Sequence, residues 1–372
     1  MDFLIENLLS VTWQQVVMWA IGAILIYLAI EKDMEPSLLL PIGFGAILVN
    51  LPGASAVGSW VDGVFEDGPL STLYNAGIAN ELLPLLLFIG IGAMCDFGPL
   101  LSNPGLMMFG AAAQFGIFFT FCLASTIFPV NDAASIATIG AADGPTAIVV
   151  AQKLKSSYVG PIMVAAYSYM ALVPIIQPPV IRLLTTKNER RIRMDYNPQQ
   201  VSKLTRILFP IIITVIAGIV SPDSVSLVGF LMFGNLLKEC GVLNGLKEAA
   251  EGPLTNIITL LLGITIASQM QAEKFLQVDT LMVMGLGLFA FVFDTAGGVL
   301  FVKFINLFLK KKINPMIGAT GISAFPMSGR IVHKMGLEED NQNFLLMHSM
   351  AVNVSGQIAS VIAGGLILGF FI

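Results

Sequence analysis

Asp143 lies in the run Ile139-Gly-Ala-Ala-Asp-Gly-Pro-Thr-Ala-Ile148, a polar, glycine-broken interruption of otherwise apolar sequence. Gly144 and Pro145 stop a helix and free backbone carbonyls, while Asp143 supplies a full negative charge. A carboxylate, free carbonyls and the hydroxyls of Thr146, Ser135 and Thr138 form a hard oxygen set that suits a small alkali cation such as Na⁺. Asp-Gly-Pro is also an ordinary helix N-cap at a membrane interface, and the local sequence leaves both readings open.

A second interruption, Ile317-Gly-Ala-Thr-Gly-Ile-Ser-Ala-Phe325, begins with the same Ile-Gly-Ala about half the chain further on. It has no carboxylate. Asn314, Gly318, Thr320, Ser323 and Ser328 offer neutral oxygens, and Arg330 follows on the same segment. An arginine at the end of such a segment attracts a carboxylate by bidentate hydrogen bonding, or else snorkels to the membrane edge. Paired interruptions at matching places in two halves point to a midplane binding site.

Other polar residues stand in apolar surroundings. Asn353, Gln357 and Ser360 fall at i, i+4 and i+7 and share one helix face, for helix–helix hydrogen bonding or for ligand binding. Tyr167 and Tyr169 precede a basic loop, with Tyr169 deeper than an interfacial belt requires. Asp294, in Phe291-Val-Phe-Asp-Thr-Ala-Gly-Gly298, is a second intramembrane acid. Cys95, Cys122 and Cys240 lack metal-ligand spacing and read as small buried hydrophobes. His333 and His348 also lack it, no P-loop or dinucleotide fingerprint exists, and no nucleic-acid partner is expected.

These residues must be positioned by helices that cross a bilayer. The chain is 56% hydrophobic and 12% charged, against roughly twice that charge in a soluble domain. The windows Thr12–Ile30, Gly105–Pro129, Tyr158–Ile181, Thr280–Leu307 and Phe344–Ile372 approach or exceed about 20 residues, enough to span roughly 30 Å of hydrocarbon. Leu208–Val220 is a shorter candidate. Lipid leaves helix as the only reading, because barrel strands alternate polar with apolar. The first apolar stretch does not read as a cleavable signal: Asp2 and Glu6 precede it and no small-x-small site follows. Gly53–Ala79 reads as an extramembrane loop with an interfacial helix.

The loop Arg182–Arg206 carries seven of the nineteen basic residues, which places it in the cytoplasm. It divides the chain into halves that echo one another. Glu35-Pro-Ser-Leu-Leu-Leu-Pro-Ile-Gly-Phe44 matches Ser221-Pro-Asp-Ser-Val-Ser-Leu-Val-Gly-Phe230 in pattern, and the stretch around Gly90 matches that around Gly263. The expected fold is therefore an all-α polytopic membrane protein of two inverted repeats, 1–181 and 207–372, flanking loop 182–206. Broken or re-entrant helices of the two repeats would meet near the bilayer midplane.

At Asp143-Gly-Pro-Thr-Ala147 and Gly321-Ile-Ser-Ala-Phe-Pro-Met-Ser-Gly-Arg330 the chain resembles the membrane β subunit of the biotin-dependent, sodium-translocating decarboxylases, which act on oxaloacetate, methylmalonyl-CoA or glutaconyl-CoA. The resemblance runs the whole length, through Glu35–Phe44, Gly92-Ala-Met-Cys-Asp-Phe97 and Asn341–Gln357. It implies a bacterial inner-membrane complex with a carboxyltransferase subunit, a biotin carrier and a small membrane-anchoring subunit, and leaves a homo-oligomer open. In such a complex the β subunit decarboxylates carboxybiotin, consumes a proton and exports Na⁺. The family's essential aspartate matches Asp143 and its functional tyrosine Tyr169. Its second cluster matches Asn314, Gly318, Ser323 and Arg330, and a further asparagine near the ion matches Asn353.

On that footing Asp143, Asn314, Ser323 and Asn353 are expected to hold Na⁺. Arg330, with Gly318 and Ser323, is expected to meet carboxybiotin, and Tyr169 to relay the proton. The chain is shorter than typical oxaloacetate-type subunits, which favours an acyl-CoA complex. From residue chemistry alone, a Na⁺-coupled secondary transporter with inverted repeats fits as well; a purely structural anchor has no need of an intramembrane carboxylate.

Overall fold

The computed structural model describes residues 9–61, 64–196 and 200–372. Asp2 and Glu6, residues 197–199 of the basic loop, and the side chains of Trp60 and Phe65 lie outside the described residues. The principal helices are α1 (Trp13–Glu31), α2 (Pro36–Leu48), α3 (Leu82–Met94), α4 (Pro104–Ala124), α5 (Val130–Ala137), α6 (Gly144–Lys153) and α7 (Val159–Leu184). After the basic loop come α8 (Lys203–Val220), α9 (Val225–Cys240), α10 (Thr255–Ile266), α11 (Val278–Asn306), α12 (Met327–Glu339) and α13 (Leu346–Phe371).

Among the described residues, seven helices are long and apolar enough to cross a membrane, or eight if one bent pair counts as a single span. The chain is a mostly helical, multi-pass membrane protein. Two of these elements escaped the hydropathy windows. Asn244–Gln269, which contains α10, is long and apolar enough to cross a membrane despite Lys247, Glu248 and Glu251 in its first turns. The bent pair is Pro69–Ile78 with α3, hinged by 62°. Within Gly53–Ala79, expected as an extramembrane loop with an interfacial helix, the last third is helical and forms the first arm of this bent pair. The stretch before it forms an antiparallel hairpin of β1 (Gly58–Val61) and β2 (Val64–Asp67), a small exception to an all-α fold.

Local chemistry explains the helix starts. Thr12 and Gln15 close a capping box on α1, satisfying two backbone N–H groups that would otherwise face an apolar medium. Glycine permits the close crossings that membrane packing relies on. A Cβ on Gly22 of α1 would sit 2.6 Å from the Gly43 carbonyl of α2, and one on Gly43 would sit 2.7 Å from the Gly22 carbonyl.

Two elements break in mid-course. The first runs through α5 and a tight turn, Thr138–Ala141. Ala142 is then left-handed at φ 52° and Asp143 extended, before α6 begins with Gly144-Pro145. The second passes from extended Asn314 through the tight helical turns Pro315–Gly321 to extended Ile322, and resumes as α12. The breaks touch: the Ser323 N–H donates to the Ala141 carbonyl at 2.8 Å. Proline at α6 costs nothing there, because the first N–H groups of a helix have no partner within it.

The basic loop is docked rather than free. Thr186 and Glu189 cap a short helix, Lys187–Arg190. Arg190 pairs with Glu339 at 2.7 Å, Arg193 with Asp340 at 2.6 Å and Lys311 with Asp195 at 2.7 Å. The Arg190 guanidinium holds the Glu339 carboxyl below its ordinary range, and Arg193 does the same for Asp340.

Candidate functional site

Asp143 stands where the first break ends, and its side chain caps α6. Oδ1 accepts the Thr146 N–H at 3.3 Å, and Oδ2 accepts the Thr146 hydroxyl at 2.8 Å. The residue is therefore an N-cap, as one sequence reading had it, but one only 3% exposed inside the bundle rather than at an interface.

Two more hydroxyls converge on Oδ2 from other elements. Ser323 of the second break lies at 3.2 Å and Ser360 of α13 at 2.8 Å, with 3.1 Å between the two serine oxygens. Further amides fix the second break. Asn353 donates to the Thr320 and Ile322 carbonyls at 3.1 and 2.7 Å, and Gln357 donates to the Ser323 carbonyl. Gln177 of α7 donates to Ala319 at 2.8 Å and accepts from the Ser328 hydroxyl at 2.9 Å. The polar stripe on α13 is thus both structural and part of the site: Asn353 and Gln357 hold the break, and Ser360 reaches the carboxylate.

The electrostatics are unbalanced. Every hydrogen bond to Asp143 comes from a neutral donor, and none of the ion pairs among the described residues includes it. A buried carboxylate without a countercharge is expensive in a membrane. Among the described residues, the side-chain oxygens of Asn353 and Gln357, whose amides hold the second break, and the hydroxyl of Tyr167 are buried without a partner. No cluster of three His, Cys, Asp or Glu occurs among the described residues. One carboxylate among hydroxyl oxygens is a hard donor set, unlike that of a softer metal.

The other expected residues are placed as follows. Both Nδ2 hydrogens of Asn314 go to the loop, to the Arg190 and Ile192 carbonyls at 2.9 Å each, and its Oδ1 accepts the Met316 N–H. The Asn314 amide therefore ties the second break to the basic loop and makes none of its hydrogen bonds at Asp143. Gly318 is a packing position, where a Cβ would lie 2.1 Å from the Gly298 carbonyl of α11. Tyr169 packs in an apolar cluster with Ile139 and Ala147, and its hydroxyl donates to the Met284 carbonyl at 2.7 Å and not to Asp143.

The tyrosine packed on the Asp143 turn is Tyr167, whose ring fills the space a Cβ on Gly144 would need. Residues two apart on a helix point to different faces, so the pair could not both serve one site. Arg330 is exposed at the start of α12 and forms no ion pair among the described residues. Glu35 lies near enough to feel its charge: burial pushes the Glu35 carboxyl up, and the Arg330 guanidinium opposes this. Ser135 and Thr138 bond within their own segment, to Asn131 and Ser135 carbonyls, and do not reach Asp143. Ser360 and Tyr167 are the site residues whose contact with Asp143 was not foreseen. The i, i+7 spacing of Ser360 from Asn353 was the available signal for the first.

Comparison with known proteins bears on this geometry. A family model described as "Na+-transporting oxaloacetate decarboxylase beta subunit" matches residues 14–371. The chain is similar to the methylmalonyl-CoA decarboxylase subunit beta of Propionigenium modestum, at 46% identity over 96% of this chain and 94% of that protein. It is similar to the corresponding subunit of Veillonella parvula, at 44% identity over 98% and 95%. It also resembles the oxaloacetate decarboxylase beta chain of Klebsiella pneumoniae, at 42% identity over 96% and 95%.

Proposed function

Since the chain belongs to the family of Na⁺-transporting oxaloacetate decarboxylase β subunits, we propose that Asp143 is the Na⁺ site at which decarboxylation of carboxybiotin is coupled to ion export. The chain is a subunit of a Na⁺-transporting decarboxylase, and Na⁺ is its cargo. One observation carries the proposal: a buried, uncompensated carboxylate held by hydroxyls from three separate stretches of chain, Thr146, Ser323 and Ser360. Na⁺ would displace the hydroxyl protons toward other acceptors and take their lone pairs, with the free oxygens of Asn353 and Gln357 completing the shell.

The chemistry runs at the cytoplasmic end. Arg330, exposed and without an ion pair, would receive the carboxylate of carboxybiotin by a bidentate contact, with Gly318 and Ser323 setting the backbone of the adjoining break. Carboxybiotin loses CO₂ and its ring nitrogen takes a proton, which Tyr169 is suited to relay. Moving one Na⁺ outward against 100 mV requires about 2.3 kcal/mol, within reach of a decarboxylation if the site changes sides only when chemistry proceeds.

The two halves fit inverted repeats. Element order is the same on either side of loop 182–206: a helix pair, a bent or long span, a single helix, a broken element and a long closing helix. In addition α3 packs on α9 as α10 packs on α2. The clustering of basic residues supports a cytoplasmic loop in a bacterial inner membrane. A carboxyltransferase, a biotin carrier and a small anchoring subunit are the partners that such a β subunit needs.

An acyl-CoA substrate is favoured by length. Alignments to the methylmalonyl-CoA subunits span 374 and 364 residues, against 411 for the oxaloacetate chain of Klebsiella pneumoniae. Rates of the assembled complex on methylmalonyl-CoA and oxaloacetate would decide this. The ion site itself is tested by titrating the purified chain with Na⁺ in a calorimeter. Binding absent in Asp143→Asn supports the site, and binding retained at the original affinity refutes it.

A further inference from the structure

Asp294 is a second carboxyl inside the bundle, wholly buried in the middle of α11. Its surroundings differ from those of Asp143 in kind. Oδ1 accepts the Ile117 N–H at 3.0 Å, with the Gly116 N–H alongside. These N–H groups lie just past the interruption of α4 at Gln114, between Met107–Ala113 and Phe115–Ala124, and the Ile117 N–H is shared with the Gln114 carbonyl at 3.2 Å. Oδ2 has no hydrogen-bond partner. It lies against Gly140 in the tight turn before Asp143, where a Cβ would stand 2.7 Å from it, while Gly116 packs on the other oxygen, a Cβ there standing 2.5 Å from Oδ1.

Among the described residues, no countercharge reaches this carboxyl. α4 holds no Asp, Glu, Lys, Arg or His, and neither does Thr138–Ala141. On elements packed against α11, the charged groups are Asp132, Arg182, Glu273 and Lys274, and on α11 itself Asp279 and Lys303. All stand in first or last turns or in a short end helix. The hydroxyl of Tyr169 is committed to Met284, and Cys122 is exposed. The nearest acid along the turn is Asp143, three residues past Gly140. Asp132, the remaining buried Asp among the described residues, is served by the Ser156 hydroxyl and the Ser157 N–H.

A charge at Oδ2 would be unsolvated and unpaired. A hydrated or oxygen-coordinated Na⁺ needs several oxygens, whereas Gly140 packs against Oδ2 and the hydrogen bonds to this carboxyl come from backbone N–H groups, which do not coordinate a metal cation. A proton needs no such shell. We propose that Asp294 is a proton-binding site, separate from the Na⁺ site, and that the proton on its free oxygen keeps the first break seated against α11. Loss of the proton would set an unsolvated negative charge against Gly140 and unseat the turn that carries Asp143, so that protonation at one site and the shape of the other are linked.

The test uses the full chain in lipid and two readouts. Infrared spectra should contain the carbonyl stretch of a protonated, buried carboxylic acid in the wild type and in Asp143→Asn, and lose it in Asp294→Asn. A wild-type spectrum without that band at neutral pH, or a band untouched by Asp294→Asn, overturns the proposal. The wild-type and Asp143→Asn spectra stand even if Asp294→Asn does not fold. Hydrogen–deuterium exchange of residues 138–142, corrected for the intrinsic rate, should rise with pH in the wild type and stay flat in Asp294→Asn. An equal rise in both would overturn the seating role. Failure of the Na⁺ reading would leave the infrared band unchanged, so the two proposals fail separately.

Discussion

The Ser360 hydroxyl lies 2.8 Å from Oδ2 of Asp143, across 217 residues of sequence. One contact therefore joins the turn that opens α6 to the middle of α13, and Ser323 bridges the same oxygen from the second break. The carboxylate is one point at which segments far apart in the chain meet.

Ser360→Ala should weaken Na⁺ binding. Removing one hydrogen bond to a charged group costs about 1.5–3 kcal/mol, which raises the half-saturating Na⁺ concentration roughly tenfold or more. Ser323→Ala should act similarly, and the double variant should fall short of the product because both hydroxyls serve one oxygen. Na⁺ titrations of decarboxylation on the four proteins would measure this, and unshifted half-saturation in both single variants would contradict it.

Asn314→Ala should separate fold from ion binding. Its amide bridges the Arg190 and Ile192 carbonyls, and Arg190 keeps a second donor in Asn343 at 2.8 Å. The Ile192 carbonyl loses this donor, for a loss of about 1–3 kcal/mol in stability. Thermal unfolding should show that loss, and turnover should drop, while the Na⁺ half-saturation point stays near the wild-type value. A large shift in Na⁺ affinity without a change in stability would make Asn314 an ion ligand after all.

Much of this was legible in the sequence, and the limits have physical causes. The two interruptions stood out because glycine, proline and an acid are costly in a lipid-facing helix, so their presence marked the site directly. The face shared by Asn353, Gln357 and Ser360 follows from helical spacing alone. Which of these side chains touches Asp143 depends on how α13 is rotated against two broken segments, and no local pattern encodes that. Asn314 looked like a ligand because an amide oxygen serves an ion and a loop equally well; only the docked position of Arg190 and Ile192 separates the two. Asn244–Gln269 was missed because its first turns carry charge, and Pro69–Ile78 because a 62° bend divides its apolar run from α3.

Gly318→Ala should damage the bundle itself. A Cβ there would fall 2.1 Å from the Gly298 carbonyl, forcing α11 and the second break apart at a cost of about 1–3 kcal/mol. A lowered unfolding temperature together with lost activity is expected. Full stability with selective loss of carboxybiotin turnover would point instead to direct contact with the substrate.

The loop clamp should respond to acid. Arg190 holds the Glu339 carboxyl below its ordinary range, so the pair contributes stability fully above the ordinary glutamate value. That contribution falls away as pH drops through the lowered value of the folded protein. Hydrogen exchange across residues 185–195 should therefore stay slow at neutral pH and speed up only on acidification. Glu339→Gln should speed it up at neutral pH. Equal protection in the variant would show that the ion pair does not hold the loop.

Tyr169→Phe tests the proton route. It removes a 2.7 Å bond to the Met284 carbonyl, worth about 1 kcal/mol, and should slow turnover and proton uptake together without moving Na⁺ half-saturation. Unchanged uptake and turnover would remove Tyr169 from the proton path.

The most direct measurement is decarboxylation of carboxybiotin by the purified complex, with and without Na⁺, for the wild type and for Asp143→Asn. Na⁺ stimulation in the wild type and none in a folded Asp143→Asn complex is the predicted result. Stimulation retained in the variant at the wild-type half-saturation would contradict the central claim and place the ion elsewhere.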